Sequence, residues 1–488
     1  MRLFHTLGRT SVAFDDPNLV SAGGLVPVVA LADRAGLGDL ADEHLTVPTD
    51  KGANAGLKVA SLVAGMVAGA DAIDDMALLR HGGMGRLFVK AYAPSTLGSF
   101  LRSFTFGHVR QLDAIASRFL VAIAGLTHLL GTANTVNTVN TVNTMVEPDT
   151  AGYALLDVDD TIIEVHGYAK QGAGFGYSGV RGLNALLATL VVPLATATTA
   201  PVIVAQRLRK GSTGSPRGAK RLVGDAVRTT RLLLGKARLV LVRMDSAFYG
   251  RGPVHAALTG GAAVSVTVRM DPAVKKAIAS IDDHAWTAIE YTDAIFDEET
   301  GMWISRAEVA EIGFTAFASA KKAERVPGRL IVRRIPDFNA ERHKAAGQDT
   351  LFDTWRFHAF FTTADPAVLD TVAADKTHRH HAVIEQVHAD LKHSALAHLP
   401  SGVFNANAAW LVLAVIAFNL TRAAGTVAAP DLARATTATL RRKLISVPAR
   451  VTSSARRITL HLPRDWPWES AWTALFTRVN DPPVSLTA

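Results

Sequence analysis

The sequence contains no cysteine, which excludes disulfides and thiolate-bound metals and fits a reducing, cytoplasmic compartment. Its first residues, Met1-Arg-Leu-Phe-His-Thr-Leu-Gly-Arg9, lack a continuous hydrophobic core of signal-peptide length, so secretion is not expected. The stretch from Gly182 to Gln206 lacks charge over a span long enough for a membrane helix. Pro193 and Pro201 interrupt it and β-branched residues crowd it, so it predicts two consecutive buried strands and no membrane association. Acid is also scarce where base is dense. From Arg207 to Arg238 ten Arg and Lys residues face Asp225 alone, an excess of nine that is larger than the +8 of the whole chain. A second run, Arg434 to Arg464, holds no acid at all. Charge focused in this way matches a polyanion, because neutralising phosphates releases their condensed counterions. Arg207, Arg209 and Lys210 open the first window and are its candidate phosphate contacts.

With 488 residues, 49% of them apolar, the chain has material for two to four domains with proper cores. Apolar residues at helical spacing, as in Leu57 to Met66 and Ile115 to Ala124, make residues 1–133 a helical region. Within it, Pro94 to Leu112 reads as a helix-turn-helix. Ser95 or Thr96 caps the first helix, Gly107 turns the chain, and His108, Arg110 and Gln111 point outward. The Thr-Val-Asn repeats that follow cannot bury a core, so residues 134–150 read as a low-complexity linker.

Chemistry concentrates in Tyr153-Ala-Leu-Leu-Asp-Val-Asp-Asp-Thr161, an apolar strand ending in three carboxylates within four positions. Alternation puts Asp157 and Asp159 on one face and Asp160 on the other. Carboxylates crowded at a strand end repel one another unless a cation sits among them, and a hard divalent ion such as Mg²⁺ is suited to oxygen ligands. A glycine-dense loop from Gly167 to Gly179 leads into the two uncharged strands, and the basic window contains a helix from about Arg221 to Ala237. Arg238 to Gly250 predicts a second buried strand with Asp245 at its end. Short β runs then fill residues 262–365 as a β-rich insertion. Ala382 to Lys392 predicts a helix in which Ile384, Val387 and Leu391 form a core stripe and Glu385, His388 and Lys392 an adjacent polar one. Asp159, Asp245 and Glu385 together can hold two metal ions for in-line attack on a phosphodiester.

The pattern resembles the DDE-type transposases of bacterial insertion sequences, and among them insertion-sequence family thirteen-eighty. The residues that carry it are Asp159-x-Thr161, Arg243-Met-Asp245-Ser-x-Phe248 and the spacing of Glu385 and Lys392. The resemblance implies an α/β fold, a ribonuclease H-like catalytic domain interrupted by a β-rich insertion behind a helical N-terminal DNA-binding region. Its parts would be 151–261 and 366–430 for the catalytic domain and 431–488 for a basic C-terminal region. It also implies Asp159, Asp245 and Glu385 as metal ligands for two Mg²⁺ ions, replaceable by Mn²⁺. The implied partners are terminal inverted repeats and target DNA, with a homodimer in the synaptic complex and cut-and-paste chemistry. The related signature Tyr-x2-Arg-x3-Glu-x6-Lys falls on His378, His381, Glu385 and Lys392, so two of its positions are His. His381 and Lys392 remain candidate DNA contacts. If cleavage passes through a DNA hairpin, an aromatic residue of the insertion must hold an unstacked base, and Trp303 is the candidate, with Trp286 and Trp355 as alternatives.

Other readings compete. Leu155-Leu-Asp157-Val-Asp159-Asp-Thr161 also fits the opening motif of a haloacid dehalogenase-like phosphatase, with Asp157 as nucleophile, although nothing later supplies that family's paired acids. A catalytically inactive, DNA-binding relic of a transposase is the other alternative, although the sequence retains all three acids, which favours activity. His381, Glu385 and His388 share a helical face, but their spacing is not that of a zinc site.

Overall fold

The structure is a computed structural model that describes residues 1, 4–131, 152–167, 169–176, 178–194, 198–297, 302–336, 355–379 and 383–481. The side chains of residues 49, 290–297, 302–306 and 336 lie outside that description. So do the expected linker, His380 and His381.

In chain order a short strand β1 (Leu19–Val20) precedes helices α1 (Leu25–Arg34), α2 (Leu37–His44), α3 (Ala55–Ala68), α4 (Pro94–Arg102) and α5 (Phe106–Thr127). Four strands follow: β2 (Ala154–Glu164), β3 (Gly174–Phe175), β4 (Arg181–Val191) and β5 (Val202–Lys210). Helix α6 (Ala219–Leu234) leads to β6 (Val240–Met244), and α7 (Arg251–Thr259) leads to β7 (Ala263–Thr267). Then come α8 (Pro272–Ala279), β8 (Thr287–Asp297), β9 (Met302–Ala316), β10 (Val326–Pro336) and β11 (Trp355–Thr362). Three helices, α9 (Thr371–Arg379), α10 (Val383–Lys392) and α11 (Phe404–Ala428), precede the hairpin β12 (Ala449–Ser454) and β13 (Arg457–His461), and α12 (Glu469–Asn480) follows.

One sheet organises the middle of the chain. Its order is β3-β4-β2-β6-β7-β11-β10-β9-β8, with β5 also paired to β4. β2, β4 and β5 are antiparallel neighbours, whereas β6 and β7 run parallel to β2 and are reached through α6 and α7. The uncharged run does form two strands, β4 and β5, and every residue of β4 after Arg181 is buried.

Two boundaries drawn from composition look different in space. The strands of the expected β-rich insertion extend this same sheet, because β11 pairs with β7 in register Phe361↔Val266 and carries β10, β9 and β8 outward. The two chain ends also share a three-stranded sheet, β1-β12-β13. There Gly23 and Gly24 donate to the carbonyls of Val447 and Ile445. A Cβ at Gly24 would stand 1.7 Å from the Leu444 carbonyl oxygen, so only glycine permits the approach.

Helix α11 is the hub. It is long and apolar enough to cross a membrane, yet 89% of its most apolar window is buried inside the protein. It carries polar groups that pair inside the protein: Asn419 accepts from the Ile203 N–H at 2.9 Å and donates to the Ile203 carbonyl at 2.8 Å. Those backbone groups fall beside the register shift between β4 and β5, where Val204 is skipped between Ala188↔Ala205 and Thr189↔Ile203.

Helices α4 and α5 exist, but the chain turns at Ser103 to Thr105, and Gly107 lies inside α5. Thr105 and His108 form a capping box there. Arg110 does not face outward. It donates to Asp113 at 2.5 Å and to Asp225 of α6 at 2.9 Å, while Gln111 bonds Thr46. Arg110 thus fastens the helical region to the sheet domain, and Gln111 ties α5 to the segment after α2.

Candidate active site

The site grows from the difference in length between two parallel strands. β2 and β6 pair from Ala154↔Val240 to Val158↔Met244, where β6 ends. β2 continues to Glu164 along β4, so Asp159 lies mid-strand rather than at a strand end, on an edge that β6 has just vacated. Asp245 is the next residue of the shorter strand. Its Oδ1 accepts from the Ala247 N–H at 3.0 Å, capping a short 3₁₀ turn.

Glu385 comes from the first turn of α10. The predicted stripe of Ile384, Val387 and Leu391 is buried, as expected from its spacing. The helix is locked from another side by Asp390, which accepts from the Thr437 N–H at 3.0 Å and pairs with the buried Arg422 of α11. Glu385 is thereby turned outward, and it lines one cavity of about 380 Å³ together with Asp159 and Asp245. Thr267, Asp375, His378 and Arg379 line it as well.

Burial pushes the Asp159 carboxyl up to about 7, and the negative charges of Asp245, Asp160 and Glu385 add to the rise. The bond that Asp159 Oδ1 accepts from the Asp160 N–H, at 2.7 Å, offsets only part of this. The cavity therefore gathers hard oxygen donors that burial and mutual repulsion hold against ionisation at Asp159, a donor set that suits a divalent cation. Among the described residues no group of three His, Asp or Glu already stands at metal-enclosing distance.

Some neighbours escaped the sequence reading. His388, which its spacing placed on a polar stripe, is buried, with Nδ1 3.7 Å from Asp159 Oδ2. His378, standing where the related signature has Tyr, stacks on Phe360 at 4.1 Å, and its two ring nitrogens bond Ser265 and Thr267 at 2.8 and 3.0 Å. Arg379 lies in the cavity beside Asp375, at 3.3 Å, two residues before the position where the signature placed a cation. An Arg four residues after an Asp was the available signal.

Other candidates fall elsewhere. Arg209 is buried, and its guanidinium pairs with Asp160, bonds Asn184 and reaches the carbonyls of Ser215 and Arg217 at 2.7 Å. It is a core cation and offers no surface to a phosphate. Arg207 is largely buried and lies 3.4 Å from Asp225. Lys210 is exposed. Lys392 lines a separate cavity with Thr161 and Glu164, and burial lowers its pKa. The Trp303 side chain and His381 lie outside the described residues. Trp286 and Trp355 flank the Arg334 guanidinium at 4.2 and 4.4 Å. Strand alternation puts Trp355 and Phe357 on the face opposite His358 and Phe360, away from the acid cavity.

Asp157, the nucleophile of the phosphatase reading, is wholly buried. Its two oxygens accept from Arg243 Nε at 2.6 Å and Nη2 at 2.7 Å, so no substrate can reach it.

A sequence profile of the family described as Transposase DDE domain group 1 matches residues 7–483. No curated protein matches the chain.

Proposed function

The chain belongs to the Transposase DDE domain group 1 family, and from that membership we propose that it binds the terminal inverted repeats of its own insertion sequence, cleaves the strand and joins the freed 3′-hydroxyl to target DNA. The observation that carries this reading is the cavity itself. Asp159, Asp245 and Glu385 reach it from a strand, a strand end and a helix far apart in sequence, and burial and repulsion leave it in need of a cation.

Those three carboxylates would hold Mg²⁺, or Mn²⁺ in its place, at two ions per site. When bound, such ions lower the pKa of an attacking water or hydroxyl and stabilise charge on the phosphodiester. The chain's own residues do the rest. His388 packs against Asp159 and holds its orientation. His378 is fixed by Ser265, Thr267 and Phe360 at the cavity wall. Arg379 brings positive charge to the same wall, where a phosphate would lie.

The sheet order supports a ribonuclease H-like domain: three antiparallel strands, β5-β4-β2, continued by two parallel ones, β6-β7. Assignment to insertion-sequence family thirteen-eighty rests on the Arg243-Met-Asp245-Ser-x-Phe248 and Glu385-to-Lys392 patterns. Joining two element ends requires a pair of active sites, hence a homodimer on DNA. The test is to incubate the protein with its own element ends and Mg²⁺ and map the products. Asp159→Asn, Asp245→Asn and Glu385→Gln should each abolish cleavage while end binding persists, since groups acting as one unit fail together. Glu385→Gln cutting at the wild-type rate sinks the triad, and wild-type protein that binds but never cuts identifies an inactive relic.

A further inference from the structure

The acid-free run from Arg434 to Arg464 takes no part in the cavity chemistry, yet it folds into a defined shape. β12 and β13 form a hairpin in register Arg450↔His461 to Ser454↔Arg457, closed by the two-residue loop Ala455-Arg456. Ala455 takes a φ of +51°, the left-handed backbone that a tight hairpin loop demands.

The base of this hairpin is fixed and its tip is bare. Ala449 and Val451 are buried, the Val451 N–H donates to the Asn18 carbonyl at 2.8 Å, and Arg86 donates to Ser453 Oγ at 2.7 Å. Every residue from Thr452 to Thr459 is exposed, including Ile458 at 53%. The exposed polar groups are hydroxyls and guanidiniums: Thr452, Ser453, Ser454 and Thr459 with Arg456 and Arg457. Asp16 approaches Arg450 at 3.6 Å near the base.

A ribbon of two strands about 4.8 Å apart matches the major groove of DNA, about 12 Å wide. Cations at its tip, without acid among them, favour a polyanion and oppose pairing with a second copy of the same basic edge. We propose that the hairpin Ala449–His461 is a DNA-docking wing that lies along duplex DNA with Arg456 and Arg457 on backbone phosphates. The proposal rests on the transposase reading and adds to it a second DNA contact, built from the two chain ends and separate from the acid cavity.

The test uses the full chain and a labelled 40-base-pair duplex carrying the element end, with binding measured by anisotropy across a salt series. Losing two phosphate contacts in R456A/R457A should flatten the slope of log K against log salt by about 1.8, at about 0.9 per contact. R456K/R457K should restore most of it. Because the chain has no cysteine, Ser454→Cys labelled with an iron chelate is a unique probe, and it should cut the duplex at one cluster of positions. An unchanged slope in R456A/R457A, or no cutting from position 454, overturns the wing while leaving the DNA reading intact. Failure of wild-type protein to bind the duplex, or its preference for a single-stranded RNA of equal length, overturns that reading and the wing with it.

Discussion

Arg243 and Asp157 stand directly opposite each other on parallel strands β6 and β2 and are joined by two hydrogen bonds, with 1% and 0% of their side chains exposed. The remaining Arg243 nitrogen reaches the Thr377 carbonyl, so the pair also fastens the end of α9 that carries His378 and Arg379. Removing one partner leaves a buried charge uncompensated. Arg243→Met should therefore cost about 3–5 kcal/mol in urea unfolding, and Arg243→Met with Asp157→Leu much less than either change alone. A double variant whose loss equals the sum of the two single losses would show that the coupling is absent.

The basic window divides by burial rather than by sequence position. Lys210, Lys220 and Arg221 are exposed, whereas Arg209 is a core cation paired to Asp160. Replacing the three exposed residues with Ala should flatten the salt dependence of DNA binding by about 0.9 per lost contact, with little change in stability. Arg209→Ala should do the reverse, lowering Tm sharply. A folded Arg209→Ala protein with wild-type stability and weakened DNA binding would return Arg209 to the interface.

Asp113 predicts a pH effect where the helical region meets the sheet. Burial raises its carboxyl from 3.8 to about 6 despite Arg110 and a bond from Gln206 at 2.8 Å. A carboxyl raised in the fold gives stability that is complete below about 4 and is lost as pH climbs through 6. Relative to Asp113→Asn, the wild type should lose about 2.4 kcal/mol between pH 4 and pH 7. Denaturant titrations of both proteins at those two pH values decide it, and a constant difference refutes it.

A fourth expectation concerns divalent ions in the absence of DNA. Mg²⁺ at ten times its Kd should stabilise the wild type by about 1.4 kcal/mol, seen as a rise in Tm. The D159N/D245N protein should show no rise. In chelator at pH 8, Asp159→Asn should itself melt above wild type, because it removes a carboxylate that burial and repulsion disfavour. A Tm rise with Mg²⁺ in D159N/D245N as large as in wild type would place the ion elsewhere.

The cavity was legible in the sequence because its acids interrupt strong local patterns: Asp159 and Asp245 stand out against buried strands, and Glu385 flanks an intact core stripe. What stayed hidden depends on contacts between residues distant in sequence. Charge counting cannot tell that Arg209 is buried while Lys210, the last residue of β5, is exposed, because a window of cations carries no clue to where the core ends. His388 read simply as part of a polar stripe because the Asp159 it meets lies on a strand from another part of the chain. That the outer strands continue the central sheet was also hidden, because sequence gives strand existence, not strand neighbours. Helix α11 drew no notice, since burial on every side erases the amphipathic period that marks a helix.

The pairing of β1 with β12 has a consequence for synthesis. Leu19 finds its partner, Arg450, only after about 430 more residues have been made. At about 5–20 residues per second, this leaves the edge of β1 without its strand for roughly 20–90 s. A chain stopped before Arg450 can still place Asp159, Asp245 and Glu385, but it never closes the small sheet on which the hairpin stands. Translation to that point thus acts as a checkpoint, and a nonsense fragment should reveal itself by protease cleavage near Leu19 while its central strands stay resistant.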